Sequence, residues 1–139
     1  MKKLKLEELG RVDVATFKST TKTPIVIVLD NIRSMNNIGS VFRSADAFAV
    51  EAVYLCGITA QPPHREIEKT ALGATESVQW KYFESTYLAI QDLKQNNYLI
   101  ASIEQVQNSV SLAMLAVDTQ AKYALVFGNE VMGVDQEVI

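Results

Sequence analysis

With 139 residues, 48% hydrophobic and 21% charged, the chain has the composition of one globular domain around a single core. No apolar run approaches the roughly 20 residues of a membrane-spanning helix, and the start, Met1-Lys2-Lys3-Leu4-Lys5-Leu6, lacks the apolar stretch of a secretion signal. The single cysteine excludes an internal disulfide, and a net charge of −3 argues mildly against nonspecific nucleic-acid binding.

Residues 1–23 are polar and read as an N-terminal arm, with a short helix over Leu4–Leu9. Lys2, Lys3, Lys5, Arg11, Lys18 and Lys22 crowd this arm. They form either a local basic face or solvated lysines that aid solubility. From residue 24 to 139 apolar strands alternate with helical segments, and this stretch is expected to form the domain proper. Strands are predicted over 25–30, 51–56, 78–82, 98–103 and 122–127. Helices are predicted over 37–48, 64–72, 84–95 and 109–116. Such alternation implies an α/β fold, a parallel sheet with helices on both faces.

The helix over 37–48 has the clearest pattern. Ile38, Val41, Phe42, Ala45, Phe48 and Ala49 follow the spacing of one buried face. Asn37 stands where an N-cap belongs. Arg43 lies off that face and one turn after Gly39. Because helical side chains lean toward the N-terminus, its guanidinium can pass over the bare glycine to the crevice at the helix start. The alternative is a structural arginine paired on the outer face. In the helix over 84–95, Thr86, Ala89, Ile90 and Leu93 share a face that reads as packing.

Several kinds of chemistry lack their residues. One histidine, His64, and one cysteine, Cys56, cannot form a zinc site of recognisable spacing, so no metal is expected. Cys56 lies in the strand Val53-Tyr54-Leu55-Cys56 and reads as a buried, inert thiol. No G-x-S-x-G elbow, G-x-G-x-x-G or P-loop is present. What remains is a polar set at successive strand ends: Asn37 and Arg43 after the first, Ser102 and Glu104 at the fourth, Gly128, Asn129 and Glu130 after the fifth. In a parallel sheet these ends converge on one edge, where α/β proteins bind ligands. Gly128 and Gly133 bracket Asn-Glu-Val-Met, as in a turn whose backbone approaches something closely.

Two of these segments resemble the signature motifs of the SpoU (TrmH) family of RNA methyltransferases, within the SPOUT superfamily. Residues 25–46, I-V-I-V-L-D-N-I-R-S-M-N-N-I-G-S-V-F-R-S-A-D, are similar to its first motif. Residues 125–134, L-V-F-G-N-E-V-M-G-V, are similar to its second. Lys69-Thr-Ala-Leu-Gly-Ala74 resembles a Gly-Ala segment between them. Met35 departs from the pattern, standing where many members have proline.

The resemblance implies transfer of a methyl group from S-adenosylmethionine to a ribose 2′-hydroxyl of tRNA or rRNA, in the cytoplasm and as a homodimer. It implies Arg43, Asn37 and Glu130 as catalytic residues. Ser102, Ile103, Glu104, Gly128 and Asn129 would bind cofactor, and Arg33, Arg65 and Lys69 would follow the RNA backbone. His64, in a loop at the same edge, is a loop residue, an RNA contact or a general base. The family fold carries a C-terminal trefoil knot. Its third motif would follow residue 139, so the chain is expected to be truncated before that motif, with the knot incomplete. Two other readings stay open at this point. One is a noncatalytic RNA-binding or cofactor-sensing module on the same scaffold, the other a flavodoxin-like domain for a small ligand.

Overall fold

Side chains on both faces of an apolar strand must be covered, which requires helices on either side of the sheet. The computed structural model describes all 139 residues and shows this arrangement. In chain order its elements are α1 (Val14–Ser19), β1 (Thr23–Asp30), α2 (Met35–Ala47), β2 (Val50–Cys56), α3 (Arg65–Ala71), α4 (Ala74–Ser77), β3 (Trp80–Phe83), α5 (Thr86–Gln95), β4 (Tyr98–Ile103) and β5 (Lys122–Phe127). All pairings are parallel, in the order β3-β2-β1-β5-β4.

Alternation along each strand divides the core in two. Val26 and Val28 of β1, Tyr54 and Cys56 of β2, and Ala124 and Val126 of β5 meet Ala89, Ile90 and Leu93 of α5. On the opposite face Leu29, Val53 and Leu55 meet Ile38, Phe42 and Ala45 of α2 and Ile67 and Ala71 of α3. Each fully buried Leu, Ile or Phe contributes roughly 2 kcal/mol of transfer free energy. α2 also lies directly against α3. A Cβ on Gly39 would sit 2.1 Å from Thr70 Oγ1 and 2.2 Å from the Ile67 carbonyl oxygen, so only glycine permits this approach.

The chain runs outward from β1 to β2 and β3, then crosses over and returns through β4 to β5 beside β1. The strand order therefore reverses between β1 and β5. Their carboxyl ends flank the crevice expected at such a switch point.

Two expected elements differ, and α1 and α4 were not expected. The segment 109–116 is loop with a single 3-10 turn at Leu112–Met114. Val110, Leu112, Met114 and Leu115 are all exposed there, so no buried face exists to stabilise a helix. Leu6–Leu9 is a 3-10 turn rather than a helix over 4–9, and α1, in the arm, was not foreseen. Asp13 starts α1 by accepting the Thr16 N–H at 2.7 Å, a capping contact.

Candidate active site at the reversal between β1 and β5

Helix α2 begins two residues earlier than its apolar pattern suggests. Ser34, not Asn37, is the N-cap, and its hydroxyl accepts the Asn37 N–H at 3.2 Å. Ser34, Asn36 and Asn37 are all good capping residues. The choice falls to Ser34 because the turn before it is held from a distance. Glu130, in the loop after β5, accepts the N–H of Arg33 at 2.9 Å and that of Ser34 at 2.9 Å. Its Oε1 also accepts from the Asn37 amide at 3.3 Å. Desolvation works to raise the Glu130 pKa, but the two backbone donors and Asn37 outweigh it and hold the carboxyl at about 2.

The loop after β5 is built as tightly as the turn it meets. Asn129 and Gly133 exchange two backbone hydrogen bonds of 2.9 Å. Asn129 Oδ1 accepts from the N–H groups of Val131 and Met132, and its Nδ2 donates to the Asn31 carbonyl at 2.7 Å. Glu104 closes the far side. Its Oε2 accepts the Val134 N–H at 2.9 Å, and Oε1 accepts the Gln105 N–H at 2.8 Å. These donors lower its pKa against a smaller desolvation effect. Gly133 adopts φ of 72°, and a Cβ there would strike Glu104 Oε2.

A third carboxylate lies under both loops. Asp30, 1% exposed at the end of β1, accepts from the hydroxyl of Thr86, from Asn31 Nδ2 at 2.9 Å and from the Asp135 N–H at 2.8 Å. Buried Thr59 works beside it, accepting the Ile32 N–H at 2.9 Å and donating to the Leu29 carbonyl at 3.1 Å. Sequence reasoning singled out neither residue. An acid directly after five aliphatic residues, Ile25 to Leu29, of a buried strand was the available signal, since such a carboxylate must be hydrogen-bonded to be retained.

The structure thus joins Asn37, Glu130, Asn129, Gly128 and Glu104 through one pair of loops. Ser102, Ile103 and Glu104 also line a largely apolar groove of about 760 Å³ along β4. Arg33 is exposed beside its bonded N–H. Arg65 begins α3, and Lys69 pairs with Glu66 at 2.8 Å. His64 caps α3, its Nδ1 accepting the Glu66 N–H at 3.1 Å. Arg43 is placed differently from its expected path. The space over Gly39 is filled by α3, so the guanidinium cannot cross there. It lines a groove of about 710 Å³ between the arm and α2, and Glu130 bonds to the backbone near Arg33 rather than to an arginine side chain.

The family model described as the SpoU rRNA Methylase family matches residues 24–139. The chain belongs to that family. A TrmH family tRNA/rRNA methyltransferase of Staphylococcus saprophyticus is 27% identical over 125 residues, which are 90% of this chain and 49% of the relative. This SpoU chain spans about half the length of the curated relatives it matches. Among solved structures, the AdoMet-bound rRNA methyltransferase from Sinorhizobium meliloti superposes with a TM-score of 0.75 at 20% identity, covering 87% of this chain and 46% of that one. An RNA 2′-O ribose methyltransferase gives 0.68 at 23% identity, covering 86% and 45%. The five-stranded parallel sheet is the one the alternating pattern implied, and its likeness to solved SpoU structures is the fold the motif resemblance implied.

Proposed function

We propose that this SpoU chain transfers a methyl group from S-adenosylmethionine to a ribose 2′-hydroxyl of tRNA or rRNA, as a cytoplasmic homodimer. The observation that carries the reading is the Glu130 clamp. It fixes the second motif's loop against the first motif's turn at the reversal of strand order, where an α/β sheet accepts ligands.

The residues present fit the cofactor. The groove along β4 offers apolar walls for an adenine, and the Ser102 hydroxyl and Glu104 carboxylate lie at its rim for hydroxyl or ammonium groups. Each Glu104 oxygen keeps a free lone pair beyond the backbone bond it accepts. Gly128 and Asn129 shape the adjoining loop and do not line the groove. S-adenosylmethionine, when bound, supplies a methyl group already activated by its sulfonium, so the protein's work is placement and charge stabilisation.

We assign the charge role to Arg43 on the motif resemblance, since it lines the groove between the arm and α2 and not the groove along β4. Its guanidinium does not deprotonate, so it acts by clamping a phosphate and stabilising negative charge as it forms on the 2′-oxygen. Asn37 spends its Nδ2 on Glu130, which leaves Oδ1 to accept from a ribose hydroxyl. Glu130 positions both the turn and Asn37. Arg33, Arg65 and Lys69 are exposed, and we assign them to the RNA backbone.

Calorimetric titration of S-adenosylmethionine, followed by tritiated-methyl transfer to RNA, tests this reading. Label retained in dinucleotides after alkaline hydrolysis would support 2′-O-methylation, because that hydroxyl is the nucleophile of alkaline cleavage. Label released in mononucleotides would indicate base methylation instead. Sedimentation equilibrium tests the dimer.

A further inference from the structure

The groove between the arm and α2 surrounds Arg43 with groups, Arg11 and Phe48 among them, for which methyl transfer alone gives no use. Arg11 from the arm lines it together with Arg43 and Phe48 from the far half of α2. Neither guanidinium forms an ion pair, since the chain's one salt bridge joins Lys69 to Glu66. Phe48 is 73% exposed, and its backbone is held from both sides. Its N–H donates to the Ser44 carbonyl at 3.0 Å, and its own carbonyl accepts from the Thr23 hydroxyl at 2.8 Å. The other aromatic in the groove, Phe17, is already covered by Lys22 Nζ, 3.4 Å from its ring centroid.

The acids in the groove are mostly committed. Asp13 caps α1 through the Thr16 N–H, and Asp46 accepts from the Ser77 hydroxyl at 2.8 Å. Glu76 alone has no side-chain partner. The other natural seat for a phosphate, the N-terminus of α2, is closed by the Glu130 carboxylate on the turn before it. An exposed ring in one groove with two unpaired guanidinium groups matches the needs of an unpaired nucleotide. The base stacks on the ring, and the phosphate takes paired N–H donors.

We propose that this groove binds one unpaired ribonucleotide of the RNA, with its base on Phe48 and its phosphate between Arg11 and Arg43. The subsite rests on the RNA-modifying reading above and extends it. Arg11 and Phe48 become positioning residues that favour single-stranded over duplex RNA.

Fluorescence anisotropy with the full chain, a labelled single-stranded oligoribonucleotide and a labelled hairpin duplex tests it, with circular dichroism confirming that each variant folds. Phe48→Ala is expected to weaken single-strand binding at least fivefold, with a smaller effect on the duplex. Phe48→Tyr keeps the ring and should retain affinity. Arg11→Ala should weaken binding and lower the slope of log affinity against log salt by about 0.7. Glu76→Gln removes one of the groove's three carboxylate charges, the one without a side-chain partner, and should tighten binding.

Unchanged affinity in Phe48→Ala and Arg11→Ala would overturn the subsite. So would a Phe48→Ala variant that dissociates a dimer while RNA affinity stays intact, which would assign the ring to a second copy. If those variants bind RNA normally while Arg43→Ala loses methyl transfer, the subsite fails and the methyltransferase reading stands. If the unaltered chain transfers no methyl group but loses RNA on Phe48→Ala, the methyltransferase reading fails and the subsite stands.

Discussion

Gly39→Ala separates two accounts of the same glycine, one that leaves it bare for a passing arginine and one that presses it against α3. The added methyl would lie 2.1 Å from Thr70 Oγ1 and 2.2 Å from the Ile67 carbonyl oxygen, whereas ordinary contact begins near 3.4 Å. The threonine can rotate, but the carbonyl belongs to the helix itself. α2 and α3 would then have to part by about 1.2 Å at this point, in an interior packed too densely to absorb it. Overpacking of this kind costs about 1–3 kcal/mol, and a backbone obstacle sets it near the upper figure. Replacing glycine by alanine inside a helix returns about 1 kcal/mol. The net expectation is a loss of about 2 kcal/mol, read as a fall in Tm of roughly 8 °C or in urea midpoint of about 1 M. Thr70→Ala alone gives up the 2.8 Å hydrogen bond from Thr70 Oγ1 to the Asn36 carbonyl, worth about 1 kcal/mol. Combined with Gly39→Ala, it should cost less than the sum of the two, because one of the two obstacles is gone. The remaining carbonyl prevents full rescue. A Gly39→Ala protein as stable as the parent would refute the packing argument.

Three further predictions concern the carboxylates and the arginine. Asp30→Asn sets an amide N–H against one of three donors in a buried site and should cost about 3 kcal/mol in urea unfolding; a loss under 1 kcal/mol would mean that water satisfies those donors. Glu130→Gln should cost about 1 kcal/mol, discounted because the carboxylate is exposed, and should loosen protection of the Arg33 and Ser34 amides in hydrogen exchange. The folded Glu130 carboxyl sits at about 2 against an ordinary 4.5, so its contribution is fully present above about pH 4.5 and fades as pH falls toward 2. The stability gap between parent and Glu130→Gln should therefore close over that window, and a constant gap would contradict the assignment. Arg43→Ala should reduce methyl transfer by at least a hundredfold while S-adenosylmethionine affinity changes less than twofold, and parallel losses in both would show that Arg43 serves the cofactor instead.

How much could be read in advance followed the range of the interactions. The strands 25–30, 51–56, 98–103 and 122–127 announce themselves because every second residue, or every residue, is apolar, and each was placed within two residues of its observed limits. The face of α2 was equally legible in Ile38, Phe42 and Ala45. Its first residue was not, because Ser34 is selected by Glu130, which lies 96 residues away along the chain. Asp30 escaped notice for the same reason: its partners, Thr86 and Asp135, come from segments that only the finished sheet brings near. The segment 109–116 misled in the opposite direction, since its aliphatic residues suggested a core-facing helix and found no core to face. Of the polar set at the strand ends, Asn37, Glu104, Asn129 and Glu130 did share one edge while Arg43 did not, and what binds them into a unit is mostly backbone N–H groups, which carry no residue signature.

The strand order carries a consequence for how the chain is made. β5, synthesised after β4, lies between β1 and β4, and its register with β1 pairs Ile25 with Tyr123 and Leu29 with Phe127. A nascent chain emerging from a ribosome can zip β1, β2 and β3 together as neighbours, with α2 and α3 laid over them. β4 has no place to dock until β5 arrives, and must wait as an unpaired strand beside the open flank of β1. Closing that gap joins segments as distant in sequence as Leu29 and Phe127, the kind of long-range step that slows folding and exposes apolar edges meanwhile. Translation speed through β4 and β5, and chaperones that shield strand edges, would therefore bear on the yield of folded protein more than events while β1, β2 and β3 are made.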